Sequence, residues 1–106
     1  MTALHVPPLS EAAWTGRVID IAQLHGWRVA HFRPAQTAKG WRTPMQGHVG
    51  FPDLVLARDG DVLLAELKVG RNKLRSEQQL WADAIGDQFR LWRPEDSDAV
   101  LKELSR

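Results

Sequence analysis

The sequence predicts a single α/β domain whose sheet is covered by helices on both faces. Its 106 residues suit one domain, since a typical domain contains roughly 100 to 150 residues. Segments of helical and strand periodicity alternate in the order helix, strand, strand, strand, helix, strand, helix. The two most apolar strands carry apolar residues on both faces, and such strands need a helical layer on each side.

The chain is predicted to begin with an irregular leader and an amphipathic helix. Two prolines end the leader over residues 1–9, and Ser10 is a suitable N-cap for a helix over about 11–25. Gly26 is the residue type that commonly ends a helix. The apolar stripe of this helix has an acidic residue, Glu11, at its N-terminal end.

A short strand and a long basic loop follow the first helix. Alternation from Trp27 to Phe32 predicts the strand, and Arg33 to about Gly50 is predicted to be a loop. Loops of this length in compact domains tend to be functional or mobile. Residues 28–48 and 67–75 contain basic residues and no acid, although the net charge of the chain is only +1. Such stretches are most often solvated loops, but both are also candidates for contacts with phosphate groups.

A hairpin forms the centre of the predicted sheet. Residues 54–57 and 62–68 are rich in Val and Leu, and Asp59-Gly60 between them is a strong signal for a two-residue turn. Counting back from this turn places Asp53 opposite Glu66. Two carboxylates are therefore expected side by side at the open end of the hairpin.

The last part of the chain is predicted to contain two helices and a strand. Ser76 and Gln79 have the spacing of a capping box, which indicates a helix over about 77–86. Residues 89–93 are predicted to form a strand that a proline ends, and residues 95–106 have helical periodicity.

The composition excludes several classes of protein. The chain contains no cysteine, which excludes disulfides, thiolate zinc sites and cysteine nucleophiles, so a bound metal must use oxygen or imidazole ligands. No apolar run approaches the roughly 20 residues that cross a bilayer, and the N-terminal segment lacks the pattern of an export signal. We therefore expect a cytoplasmic protein without membrane contact.

The candidate catalytic residues lie in two segments, Gly50-Phe51-Pro52-Asp53 and Glu66-Leu67-Lys68. Lys68 points to the same face as Glu66 because it lies two residues further along the strand. Neighbouring carboxylates repel unless a positive charge lies between them, and their hard oxygen atoms suit Mg²⁺, which can also share a phosphate oxygen. This pattern is typical of a metal-dependent phosphodiesterase. The alternative is an exposed ion pair, but charges at a buried sheet position are costly unless they serve a site.

Several segments together resemble the motifs of a known family. They are Glu11, His25-Gly26-Trp27, Gly50-Phe51-Pro52-Asp53-Leu54-Val55-Leu56, Ala65-Glu66-Leu67-Lys68, Ser76-Glu77-Gln78 and Leu91-Trp92-Arg93-Pro94. Over nearly the whole chain the sequence resembles the PD-(D/E)XK nuclease superfamily and, within it, the small VRR-NUC domains. The resemblance implies a restriction-endonuclease-like core, with a mixed sheet flanked by helices on both faces, and the predicted order of elements is that of the superfamily.

The resemblance also implies a metal site. Asp53, Glu66 and the backbone carbonyl of Leu67 would bind Mg²⁺, for which Mn²⁺ is expected to substitute, and Glu11 would complete the site. Glu11 could instead serve only to interact favourably with the helix dipole. No organic cofactor is implied.

Two further side chains receive roles from the same resemblance. Lys68 would hold or deprotonate the attacking water. Gln78 matches the glutamine that follows the motif, and its helical spacing with Trp81 turns it toward the sheet. A solvated residue in the first turn of the helix is the alternative for Gln78.

The predicted function is that of a Mg²⁺-dependent endonuclease acting on DNA. Basic residues close to the site in sequence are expected to contact phosphates, and the chain has no helix suited to reading base edges. The resemblance implies selectivity for branched DNA such as four-way junctions or flaps. The predicted DNA-binding residues are Lys39, Arg42, Arg71, Lys73 and Arg75.

Two alternative functions and a homodimer are also expected from the sequence. The chain could be a nucleic-acid-binding module that keeps the fold without catalysis, or an α/β interaction domain whose acid pair is incidental. A homodimer is implied by the resemblance. It is also suggested by apolar helix faces over residues 14–22 and 100–104, which one small sheet would cover only in part.

Overall fold

The computed structural model describes residues 8–33, 35–38, 40–42 and 45–106. These residues form an α/β domain with three α-helices, a four-stranded mixed sheet and a separate two-stranded sheet. Short 3-10 turns over 86–88 and 94–96 flank the last strand. The elements are α1 (Glu11–Leu24), β1 (Arg28–His31), β2 (Ala35–Thr37), β3 (Gly40–Arg42), β4 (Leu54–Arg58), β5 (Asp61–Leu67), α2 (Ser76–Ile85), β6 (Phe89–Trp92) and α3 (Ser97–Leu104).

The main sheet has the strand order β1-β4-β5-β6. The first three strands are antiparallel to one another, whereas β6 runs parallel to β5. Arg58 pairs with Asp61 and Leu54 pairs with Ala65, which confirms the register predicted from the Asp59-Gly60 turn. Both turn residues have positive φ, 53° and 88°, as a two-residue hairpin turn with right-handed strand twist requires.

The predicted first helix is confirmed together with its N-cap. The Ser10 hydroxyl accepts a hydrogen bond from the Ala13 amide at 3.0 Å, which satisfies one of the free donors of the first turn. The helix ends at Leu24, and Gly26 follows with φ 84°.

One face of the sheet and two helices enclose the core. Trp14, Val18 and Ala22 of α1 and Val100 and Leu104 of α3 are fully buried against it. These residues of the apolar helix faces over 14–22 and 100–104 are therefore covered within one protomer and do not form a dimer surface, whereas Leu101 of α3 is 45% exposed. The strand residues that complete this face are Leu54, Leu56, Leu63, Ala65 and Leu67.

The opposite face of the sheet is covered only in part. Helix α2 lies against β6, and its Gln78 reaches Glu66 of β5. Ala30 on β1 is exposed, and 42% of the surface of Val62 on β5 is accessible to solvent. Helices thus lie on both faces as predicted, but α2 is too short to extend over β1 and β4.

Two local expectations are wrong. Residues 33–50 were expected to lack regular structure, but they contain the β2–β3 hairpin, whose three-residue strands are too short to give a periodic signal. The second helix begins at Ser76 and not after it, and the amide of the residue before it, Arg75, donates to Gln78 Oε1 at 2.8 Å. The capping glutamine is therefore Gln78, while Gln79 donates to Asp83 on the exposed side.

Arg58 joins the ends of two helices to the sheet. Its guanidinium donates to the carbonyls of His25 at 2.9 Å and Leu104 at 3.0 Å, and it lies 4.5 Å from the ring centroid of Trp27. Helix ends carry unpaired carbonyls and a partial negative charge, so a cation at this position stabilises both. Within the described ranges no helix has the length and apolarity needed to cross a membrane.

Candidate active site

Asp53 and Glu66 lie side by side at the open end of the β4–β5 hairpin. The Phe32 amide donates to the Asp53 carbonyl at 2.9 Å, which extends the pairing of β1 with β4 to this residue. The Asp53 carboxylate then reaches across to β5, where Oδ2 accepts a hydrogen bond from the Leu67 amide at 3.0 Å. This bond fixes the carboxylate beside the peptide that links Glu66 to Leu67.

The Glu66 carboxylate is almost completely removed from water. The residue is 3% exposed, and its Oε2 accepts a hydrogen bond from Gln78 Nε2 at 3.1 Å. Lys68 Nζ lies 3.8 Å from the same oxygen. The other oxygen, Oε1, is buried and has no hydrogen-bond partner within the described part of the chain. Burying a carboxylate oxygen without a hydrogen-bond donor costs folding free energy, and binding a proton or a cation would reduce that cost.

The surroundings of Glu66 raise the pKa of its carboxyl group from 4.5 to about 8. Burial is the largest cause, followed by the negative charge of Asp53 and the hydrogen bond that a protonated Glu66 can make to it. Lys68 opposes this effect and Glu11 adds to it. Without a bound cation, the site therefore holds a proton near neutral pH.

Lys68 is itself buried, with 9% of its surface exposed. Its amide donates to the Trp92 carbonyl at 3.2 Å, so the backbone pairing with β6 continues past the end of β5. Its amine is directed to Glu66, as their alternation on one strand predicts. The Lys68 amine is therefore held beside the Glu66 carboxylate and not at the solvent surface.

Gln78 connects α2 to the acid pair. Its side chain accepts from the Arg75 amide and donates to Glu66, and only 6% of the residue is exposed. One side chain therefore both caps α2 and fixes the position of the Glu66 carboxylate. The inward orientation predicted for Gln78 is confirmed, and the solvated alternative is wrong.

The segment before Asp53 packs against α2 through contacts that sequence reasoning missed. A Cβ atom on Gly50 would lie 2.8 Å from the backbone of Glu77, and Gly50 has φ 90°. The Trp81 indole donates to the Val49 carbonyl at 3.0 Å, and its ring lies edge-on to Phe51 at 4.9 Å. Both halves of the motif are thus fixed to the helix that supplies Gln78. The sequence signal was the glycine immediately before Phe51-Pro52-Asp53, where no side chain fits.

Glu11 lies in the first turn of α1 and is exposed. Its charge contributes to the raised pKa of Glu66, so it lies within electrostatic range of the site. Across residues 8–33, 35–38, 40–42 and 45–106, no group of three or more His, Asp or Glu side chains is arranged to hold a metal ion. Its role as a ligand stays a prediction, and the favourable interaction with the helix dipole stays the alternative.

The remaining donors fit a hard divalent cation. Asp53 and Glu66 provide carboxylate oxygens on adjacent strands, and the carbonyl of Leu67 is the third predicted ligand. Oε1 of Glu66 has no hydrogen-bond partner among the described residues, so this buried oxygen is available to a cation. Oxygen ligands of this kind suit Mg²⁺ or Mn²⁺.

The predicted DNA-binding residues lie on two segments. Arg71, Lys73 and Arg75 are exposed between β5 and α2, next to the site, and none forms an ion pair within the described ranges. Arg42 belongs to β3, but the structure does not describe its side chain, and Lys39 lies outside the described residues.

Comparison with known proteins assigns no family. No protein-family model matches the chain, and no curated protein and no solved structure shows significant similarity to it. What this chain does is therefore inferred from the geometry of the site and from the motifs that it carries.

Proposed function

We propose that this protein is a Mg²⁺-dependent endonuclease that hydrolyses DNA phosphodiester bonds on a restriction-endonuclease-like core of the VRR-NUC kind. The observation that carries the proposal is the buried Glu66 carboxylate, which lies between Asp53 and Lys68 and has one oxygen without a partner. Most buried side-chain oxygens in folded proteins have a hydrogen-bond partner, so an unpartnered one is uncommon in a purely structural acid. An acid with an open, buried oxygen beside a second acid and an amine is suited to metal-assisted hydrolysis.

Each side chain has a distinct role in the proposed reaction. Asp53 and Glu66, with the carbonyl of Leu67, would hold Mg²⁺, and the ion would supply positive charge to polarise the scissile phosphate. Lys68 positions a water molecule for in-line attack on phosphorus, since its amine lies 3.8 Å from Glu66 and points to the same face. Gln78 keeps the Glu66 carboxylate in place through its 3.1 Å hydrogen bond. Hydrolysis leaves a 5′-phosphate and a 3′-hydroxyl without a covalent intermediate.

The proposed substrate is branched DNA, bound through its backbone. Arg71, Lys73 and Arg75 provide exposed positive charge between β5 and α2. Phosphate contacts fix the position of a protein on DNA without reading its sequence, which suits a nuclease that selects DNA by shape. Lys39 and Arg42 are proposed to extend this surface, and a homodimer is the proposed assembly.

A cleavage assay tests the function. Four-way junction, flap, duplex and single-stranded DNAs are incubated with Mg²⁺, Mn²⁺ or EDTA, and the nicked products are then treated with DNA ligase, which seals only 5′-phosphate and 3′-hydroxyl ends. We expect ligatable nicks that require the metal, and their loss in Glu66→Gln and Lys68→Gln. Lys102→Gln, which removes an exposed charge from α3, is the matched control and should cut normally.

The same experiment separates the alternatives. DNA binding without cleavage by wild type would identify a non-catalytic nucleic-acid-binding module. Neither binding nor cleavage, together with no change in thermal stability on adding Mn²⁺, would identify an interaction domain with an incidental acid pair. Normal cleavage by Glu66→Gln would remove this residue from the mechanism.

A further inference from the structure

An apolar cavity of about 370 Å³ lies between helix α2 and the segment that precedes Asp53. Its lining residues are His48, Val49, Glu77, Leu80, Trp81 and Ala84. The four from α2 have the spacing of a single helical stripe. Leu80 and Val49 are 68% and 63% exposed, so these large apolar side chains face solvent and do not pack in the core. A concave apolar surface with a few polar groups is typical of a ligand site.

Both walls of the cavity continue into the acid pair. Trp81 lies one helical turn after Gln78, about 4.5 Å further along the axis, and Gln78 donates to Glu66. Val49 lies four residues before Asp53 in the chain. The Trp81 indole donates to the Val49 carbonyl at 3.0 Å, which fixes the two walls to each other. A group bound in the cavity would therefore lie directly beside a phosphate bound at the acid pair.

The charges around the cavity fit a nucleotide. Arg71, Lys73 and Arg75 are exposed just before α2 and form no ion pair within the described ranges, so they are available to phosphates. Glu77 instead lines the cavity, where its carboxylate would repel a phosphate but can accept a hydrogen bond from the amino group of a base. The basic segment thus suits the backbone of a DNA strand, and the cavity suits a base.

Trp81 provides a ring on which such a base can stack. The residue is half-buried, and its ring is held by the hydrogen bond to Val49 and by an edge contact with Phe51 at 4.9 Å. A fixed aromatic ring can stack on any base, because every base has a π-face. Bases within an intact duplex are already stacked on their neighbours, so an unpaired base can enter the cavity at a lower cost.

We propose that this cavity binds an unpaired base of the DNA strand that is cut, stacked on Trp81 and within about two nucleotides of the scissile phosphate. The spacing follows from the single helical turn between Trp81 and Gln78, since nucleotides of one strand are about 3.4 Å apart in a duplex. The proposal rests on the proposed function and narrows its substrate. It favours flap or fork DNA over continuous duplex and over a fully paired four-way junction.

Binding of fork DNA in EDTA at low salt tests the cavity. Fluorescence anisotropy compares a normal fork with forks that carry an abasic residue at each unpaired nucleotide in turn. For wild type we expect one of these substitutions to raise the dissociation constant roughly tenfold. Ala84→Leu fills the cavity from an exposed position and should bind all forks within about threefold of one another. Ala99→Leu, also exposed but on α3, is the matched control and should keep the wild-type dependence on the base.

Two substitutions of Trp81 separate stacking from structure. Trp81→Phe and Trp81→Leu both lose the hydrogen bond to Val49, but only Trp81→Phe keeps an aromatic ring. We expect Trp81→Phe to discriminate normal from abasic fork and Trp81→Leu to bind both equally. A structural defect alone would weaken the binding of normal and abasic forks by the same factor.

Several outcomes would overturn the proposal. They are no binding of the fork by wild type, equal binding of normal and abasic forks by wild type, and unchanged base dependence in Ala84→Leu. If Ala84→Leu altered only the sedimentation coefficient, a second copy of the chain would cover the cavity instead. The assay contains no metal and is read beside the cleavage assay. Base-independent binding with normal Mg²⁺-dependent cleavage would refute the base site alone, whereas base-dependent binding without cleavage would refute the nuclease alone.

Discussion

Replacing Glu66 by Gln should stabilise the metal-free protein at alkaline pH and remove most of its pH dependence. The folded state raises the pKa of Glu66 from 4.5 to about 8, so between these values the folded protein binds a proton that the unfolded chain has lost. The free energy of unfolding therefore falls as pH rises through this window, and it is flat below and above it. At roughly 1.4 kcal/mol per pKa unit, the difference amounts to at most about 5 kcal/mol. Glutamine has the same shape and carries no charge, so this loss should disappear.

Urea unfolding followed by tryptophan fluorescence measures the effect. Wild type and Glu66→Gln are compared in EDTA between about pH 5 and pH 9, with Glu95→Gln as the control because Glu95 is exposed. Wild type and the control should lose several kcal/mol across this range, and Glu66→Gln should lose much less. Parallel curves for all three proteins would refute the raised pKa of the Glu66 carboxyl group.

Adding Mn²⁺ extends the same experiment. A cation that replaces the proton on Glu66 should stabilise wild type more at pH 8.5 than at pH 6, because the proton competes with it at the lower pH. Asp53→Asn keeps an acceptor for the Leu67 amide but loses a charged ligand, so it should fold normally and lose this stabilisation. Asp53→Ala would also break the hydrogen bond to Leu67 and is the less informative variant. Equal stabilisation of Asp53→Asn and wild type would remove Asp53 from the metal site.

Three further perturbations test other parts of the site. Lys68→Gln should retain Mn²⁺-dependent stabilisation while losing at least about a hundredfold in cleavage rate, since the amine acts on water and not on the ion. Neutralising Arg71 and Lys73 together should reduce the slope of log affinity against log salt for duplex DNA by roughly 0.9 for each lost phosphate contact. Gly50→Ala should destabilise the protein by about 1 kcal/mol or more and slow cleavage, because its Cβ would meet the backbone of Glu77 at 2.8 Å.

Each perturbation has a matched control. Lys102→Gln is the control for Lys68→Gln, because it removes a lysine charge far from the acid pair. Neutralising Arg17 and Lys102 together is the control for the Arg71 and Lys73 double variant, because it removes two exposed positive charges from helices. Gly16→Ala lies within α1 where a Cβ meets nothing within 4 Å, so it should be neutral or stabilising. A Lys68 variant that loses metal affinity, an unchanged salt slope, or a Gly50→Ala that behaves like Gly16→Ala would each contradict the corresponding role.

Much of the fold and the centre of the site could be predicted because short-range signals determine them. The Asp59-Gly60 turn defines the register of β4 and β5, and that register alone brings Asp53 opposite Glu66. Ser10 determines where α1 begins. The inward face of α2 followed from helical spacing, and Gln78 lies on it.

The errors concern packing between elements, on which local patterns carry little information. Apolar faces on α1 and α3 looked too extensive for one small sheet, yet both helices lie on the same sheet face and bury most of these residues, while Leu101 remains 45% exposed. Helices were expected on both faces and lie there, but the sequence did not show that the ten residues of α2 span only the β5–β6 half of the second face. The role of Arg58, which satisfies carbonyls from two distant helix ends, depends on contacts with residues 25 and 104 that no sequence window contains.

The site also explains why the two layers of this domain differ. The layer of α1 and α3 is a continuous apolar core. Two of its buried tryptophans, Trp14 and Trp27, each donate their indole N–H to a backbone carbonyl, so these two polar groups are satisfied within the core. The layer of α2 contains Glu66, Lys68 and Gln78, which are buried although burial of charge opposes folding. A small domain can bury such a group because its apolar layer is complete on the other side of the sheet. Glu66→Gln separates the contribution of Glu66 to stability from its contribution to cleavage. The variant should be more stable than wild type and should have no metal-dependent cleavage. A variant that lost both stability and cleavage would show that Glu66 is needed for the fold and not for the chemistry.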